Sequence, residues 1–291
     1  MQQIDRLKRG PKSHIISTVD IITPNQYTLS SGVPLYAYKS EGIGAIRLEI
    51  VFEAGRLYET KRLVAQSCAS LITEGSLKMT SSEISEAIDY EGAYLSSQGN
   101  SDFITLRLTC AKKSLKKVLP ILKDIIVAPT FSEEELNIYK NRRKQRMTIN
   151  LTKNDILSYR AITESLYGKD SVYGYNSTFE MLDDITSSDL KSHYNQNCTN
   201  DRAHIFLSGD YGNDDIKSIE NLSLAFKNKK NLPSKYQATK TEKQTIQIKG
   251  RENQSSLKLA LPLFNRNHKN YPGIYFLNTI LGGYFGSRLM K

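Results

Sequence analysis

The sequence contains no tryptophan, only three cysteines (Cys68, Cys110 and Cys198) and only four histidines (His14, His193, His204 and His268) in 291 residues. An odd cysteine count without a C-x-x-C pair argues against a disulfide framework and fits a reducing compartment. The histidines are scattered, and no two stand four residues apart, so they read as surface or packing residues. Neither H-x-x-E-H nor H-E-x-x-H occurs, and there is no G-x-S-x-G elbow, Walker loop or zinc knuckle. Those gaps remove the usual sequence routes to helix-borne zinc, a serine nucleophile and a phosphate cradle. No stretch approaches the roughly 18 apolar residues that span a bilayer. The start, MQQIDRLKRGPKSH, lacks the apolar segment of a signal peptide. The chain reads as soluble and cytoplasmic, although a removed signal would leave no trace.

What is present supports a packed interior. Hydrophobic residues make up 39% of the chain, enough to argue against wholesale disorder. Forty basic residues against thirty acidic ones give a net charge of +10. The excess sits in short clusters: Lys112-Lys113, Lys116-Lys117, the run Lys140, Arg142, Arg143, Lys144 and Arg146, and Lys227 to Lys230. Such clusters fit solvated helix faces. They also leave open a basic module for nucleic acid or an anionic surface, although no nucleic-acid motif accompanies them.

Periodicity and turn chemistry outline the elements. Tyr27 to Tyr38 reads as a hairpin about Ser31-Gly32, and Ala45 to Phe52 as a central strand. A helix from about Leu63 to Ile72 places Val64, Cys68, Leu71 and Ile72 on one face, with Cys68 as small core filler. Thr80 and Glu83 form a capping box for a helix from Ser81 to Tyr90, closed by Gly92. Residues 93–97 and 103–110 read as a strand pair, followed by a helix over 114–127 interrupted by Pro120. Ser132 and Glu135 form another box, and Phe131 with Leu136 a hydrophobic staple, opening a long helix to about Leu166. Thr186 to Asp189 opens a further helix, and Ala203 to Gly209 is a strand.

The charged segment 227–245 reads as a linker. Beyond it the order restarts: a strand at 256–264, a helix at 271–281, then Gly282-Gly283 and Ser287-Arg288-Leu289. This echoes residues 45–76 as a weak internal repeat cut short at Lys291. The division is an arm (1–26), a first domain (27–226), the linker (227–245) and the start of a truncated second domain (246–291). The fold class is α+β, a mostly antiparallel sheet with helices packed on one face.

Several stretches, in order, resemble the pitrilysin/insulinase peptidase family, and in particular the mitochondrial processing peptidases and their bacterial relatives. Ala54-Gly-Arg-Leu-Tyr-Glu59 resembles the lead-in to the family's metal helix, and Gly75-Ser76 the exit. The helix opened by Thr80 and the strand from Gly92-Ala93-Tyr94-Leu95 follow in the family's order. Tyr173 to Ser177 and Leu207 to Asp210 resemble the end of the first domain. Gly282 to Leu289 resembles the Gly-Gly…Ser-Arg-Leu of the second. Active members carry H-x-x-E-H, in which two histidines hold zinc and the glutamate serves as general base. The resemblance places Gln66 and Ser70 on the histidines and Ala69 on the glutamate. It places the later acidic ligand near 146–150, where no glutamate stands. Gln and Ser are poor zinc ligands beside imidazole, and Ala moves no proton.

The resemblance therefore implies a peptidase-like subunit without chemistry or cofactor of its own. Such a subunit pairs, as a homo- or hetero-oligomer, with a zinc-bearing homologue and helps wall a peptide-binding chamber. It also implies that Ala93, Tyr94, Leu95, Ser96 and Ser97 take up a peptide as an edge strand through main-chain bonds. The residues alone equally allow an interior strand. Substrate, partner and any second-domain Arg/Tyr pair lie beyond what these residues say.

Overall fold

The computed structural model describes residues 14–15, 18–19, 22–227 and 255–290. Six strands and nine helices are assigned among them. In chain order they are β1 (Asn25–Thr28), β2 (Pro34–Lys39), β3 (Ala45–Phe52), α1 (Val64–Leu71), α2 (Ser81–Tyr90), β4 (Tyr94–Gly99), β5 (Ile104–Ala111), α3 (Leu115–Val127), α4 (Glu133–Asn150), α5 (Asn154–Tyr167), α6 (Phe179–Asp183), α7 (Ser187–Asn197), β6 (Ala203–Gly209), α8 (Asn213–Ser223) and α9 (Tyr271–Gly282). The strands form one sheet in the order β1-β2-β6-β3-β5-β4. Only β2 and β6 run parallel, and every other neighbour is antiparallel.

One face of the sheet is buried. Ile46, Leu48, Ile50 and Phe52 of β3 pair with Cys110, Leu108, Leu106 and Ile104 of β5, and all point to the helices. Their alternate neighbours are at least partly solvated, as the two-residue pleat requires. The apolar run Ile50-Val51-Phe52 thus alternates in burial despite its composition. The core is one continuous cluster that the sheet shares with α1, α3 and α7.

Local signals account for most boundaries. Thr80 accepts from Glu83 N–H while Glu83 reaches back to the Thr80 N–H, and Thr186 and Asp189 do the same for α7. Gly92 takes a positive φ just past α2, a conformation that strains any residue with a Cβ. Three readings need correction. Helix α3 is continuous through Pro120, whose position is exposed. Leu115, Val118, Leu119, Leu122, Ile125 and Ile126 bury a full stripe, which outweighs one missing backbone bond. The long helix is two helices. The Thr152 hydroxyl donates to Ile149 O at 2.8 Å, Lys153 N–H closes a tight turn on Asn150 O, and Lys153 then turns extended before Asn154. Finally, 256–264 forms no strand, because among the described residues no partner strand supplies a ladder. Its Leu257, Leu259, Leu261 and Leu263 are exposed. The segment 228–245 of the linker lies outside the described residues, as does most of the arm.

Candidate functional site

The site begins with the turn that leads into α1. Glu59 Oε2 accepts from Ala65 N–H at 3.3 Å and so satisfies one open donor at the helix start. Tyr175 donates its hydroxyl to Glu59 Oε1 at 2.5 Å and accepts from Leu63 N–H and from Arg56 Nε. The Arg56 guanidinium lies 3.9 Å from the centre of the Tyr175 ring, with Arg62 at 5.0 Å. Burial holds the Glu59 carboxyl above the ordinary carboxylate range, although the Tyr175 hydroxyl bond opposes it. Burial first, and the Glu59 charge second, push the Tyr175 hydroxyl up to about 12. The lead-in motif and the Tyr173–Ser177 stretch, read separately in the sequence, are therefore one clamp on the start of α1.

Helix α1 packs between β4, α4 and α7. Of the three positions that the resemblance gives to the zinc ligands and base, Gln66 is half-buried, Ala69 fully buried and Ser70 exposed. The Ser70 hydroxyl donates to Gln66 O at 3.0 Å, back along its own helix. Ala69 is packed under the end of β4: a Cβ placed on Gly99 would fall 2.9 Å from the Ala69 Cβ. That close approach is what a glycine permits.

Arg143 of α4 donates to Gln66 Oε1 at 3.1 Å, and Ser67 of α1 donates to the Tyr139 hydroxyl one turn earlier on α4. In the window 146–150, where the resemblance looks for an acidic ligand, the buried residue is Met147. A zinc site would need several anionic or imidazole donors converging on one point. The side chains here are an amide already held by a guanidinium, a hydroxyl bonded to backbone, a methyl group without a donor atom and a thioether. These residues do not fit zinc. Among the described residues no group of three His, Cys, Asp or Glu could hold a metal.

His193 and the three buried cysteines are structural in geometry. His193 is buried with Nε2 2.8 Å from Ala54 O, and burial holds its pKa below the ordinary histidine value. Burial likewise pushes up the thiols of Cys68 and Cys198, which is the reverse of a reactive cysteine.

Strand β4 stands at the sheet edge beside β5. It runs from Tyr94 to Gly99, so Tyr94, Leu95, Ser96 and Ser97 lie in it, whereas Ala93 precedes it. The Ala93 N–H is already bonded to Ile88 O at the end of α2, which keeps it out of the ladder. Among the described residues, no backbone bond from outside the β5 ladder reaches Tyr94 to Gly99. Half of this strand's N–H and C=O groups therefore face away from the sheet.

The basic run does not form one surface. Lys144 pairs with Asp183, and Lys140 donates to Asp183 O at 3.0 Å. Arg143 turns inward to Gln66, and only Arg142 and Arg146 are exposed. Sequence reasoning missed the Arg143–Gln66 bond and the Tyr175 clamp. The one available signal for the first was the stripe Leu136, Tyr139, Arg143 and Met147, which lines one helix face at i, i+3, i+7 and i+11.

A six-stranded sheet covered by helices on one face, with a buried helix led in by Gly-Arg and a free edge beside it, defines a peptidase-like α+β unit. The model for insulinase (peptidase family M16) matches residues 37–170, and that for the peptidase M16 inactive domain matches residues 184–291. The chain belongs to the insulinase/pitrilysin family. It is 21% identical over 274 residues to an uncharacterized zinc protease, YmxG, of Bacillus subtilis, covering 91% of this chain and 66% of that protein. Among solved structures it is similar to a peptidase M16 inactive domain from Pseudomonas fluorescens, with a TM-score of 0.79 at 18% identity over 92% of this chain and 67% of that one. It is also similar to the periplasmic protease PqqL from Escherichia coli, with a TM-score of 0.63 at 15% identity over 80% of this chain and 28% of that one. The chain thus spans about two thirds of the length of the Bacillus relative. Among the described residues no helix is long and apolar enough to cross a membrane.

Proposed function

We propose that the chain is a peptidase-like subunit with no hydrolytic chemistry of its own. It takes an extended peptide onto the free edge of β4 and pairs with a zinc-bearing homologue that performs the cleavage. The observation that carries this reading is the contrast within one small region. The positions for metal and base hold Gln66 bonded to Arg143, buried Ala69 and exposed Ser70, while the neighbouring strand edge keeps its open main-chain groups. Edge addition uses backbone bonds and needs no particular side chain, so it does not depend on the lost ligands. Three free, buried cysteines support the cytoplasmic placement.

Amide hydrogen exchange on adding an unstructured peptide tests the edge: exchange slows at alternate residues of Tyr94 to Gly99. Unchanged exchange there refutes peptide addition. Co-expression with a zinc-bearing homologue from the same cell tests the pairing, and a chain that purifies alone refutes it.

A further inference from the structure

Arg143 stands apart from the other cations of its run. Lys140 and Lys144 are held by Asp183, and Arg142 and Arg146 stand in solvent. Arg143 is half-buried, and of its forked N–H donors one is engaged, by Gln66 Oε1. No carboxylate of the described residues forms an ion pair with it. A partly desolvated cation without a counter-charge is unfavourable, and an arriving anion relieves it. Its holder, Gln66, stands beside the end of β4: the Gln66 Cα lies 3.6 Å from where a Cβ on Gly99 would stand.

We infer that Arg143, fixed by Gln66 beside the end of β4, is a carboxylate-binding site for peptides laid on that edge. The inference rests on the peptide-binding reading above. A guanidinium matches a carboxylate in a planar, two-bond fork, which a lysine cannot reproduce. A fixed cation is thus bonded to Gln66, the residue that the resemblance sets on a metal ligand, and it holds an anion instead of activating water. The carboxylate can come from an acidic side chain or from a peptide's C-terminus.

The test uses the full chain and fluorescence anisotropy with matched synthetic peptides. One carries a single glutamate, a second has glutamine in its place, and each is made with a free or an amidated C-terminus. The glutamate peptide binds about tenfold more tightly than its glutamine counterpart at low salt. Arg143→Met removes that difference and leaves the neutral peptide's Kd unchanged, while Arg142→Gln leaves both values as they were. Arg143→Lys keeps the charge without the fork, retains part of the difference, and serves if the methionine variant fails to fold. A preference that follows amidation instead identifies the chain end as the source. Equal affinity for all four peptides overturns the inference and leaves the edge reading standing. Binding by none of the peptides overturns both.

Discussion

Restoring the missing base should damage the fold before it restores any chemistry. Ala69→Glu puts a carboxylate on the position that the resemblance gives to the family's general base. Here that position is 0% exposed, and it lies under a glycine whose added Cβ would come within 2.9 Å. Helix and strand backbones meet too closely for a longer side chain, and overpacking of this kind costs about 1–3 kcal/mol. A carboxyl forced into this contact leaves water, and burying it unpaired costs roughly 1–3 kcal/mol more, even when protonated. The total, about 2–6 kcal/mol, is a large part of a typical domain's stability of about 5–15 kcal/mol. Ser70→His is the control. Its site is exposed, and its effect should stay within about 0.5 kcal/mol. Urea unfolding followed by far-UV circular dichroism suits a chain without tryptophan. An Ala69→Glu variant as stable as wild type would refute the claim that α1 and β4 close over this position.

Two further outcomes follow from the buried polar groups. Tyr175→Phe keeps the ring beneath Arg56 but leaves Glu59 Oε1 and Leu63 N–H without their partner; it should cost about 2–4 kcal/mol, and a loss below about 0.5 kcal/mol would deny the clamp. His193 is held below the ordinary histidine value by burial, so its contribution is present above that value and is lost as pH falls through the depressed one. Wild type should therefore lose stability relative to His193→Gln between neutral and mildly acidic pH, and parallel profiles would show that the ring is not held neutral.

Much of the fold was legible because its signals are local. Thr80 with Glu83, and Thr186 with Asp189, announce helix starts within four residues. The strand pair ahead of α3 was visible for the same reason. The place of β6 between β2 and β3 was not legible, since it arrives from far along the chain, and the residues of β4 alone did not separate an edge strand from an interior one. The α4–α5 break turned on the Thr152 hydroxyl bonding to the carbonyl of Ile149, three residues back, and the periodicity on either side conceals it. Once the resemblance had set Gln66, Ala69 and Ser70 on the ligand and base positions, their unfitness for zinc was readable from residue type. What replaced the ligands was not: Arg143 and Gln66 are 77 residues apart, and the arginine sits among charges that look uniformly solvated. Apolar alternation at 256–264 misled because a strand is made by its neighbours as much as by its own residues.

The measurement that bears most directly on the central claim is the zinc content of the purified chain after equilibration with excess zinc and removal of the unbound metal. The account predicts far less than one zinc per chain, unchanged by Gln66→Ala or Ser70→Ala. One zinc per chain, lost in both variants, would contradict it.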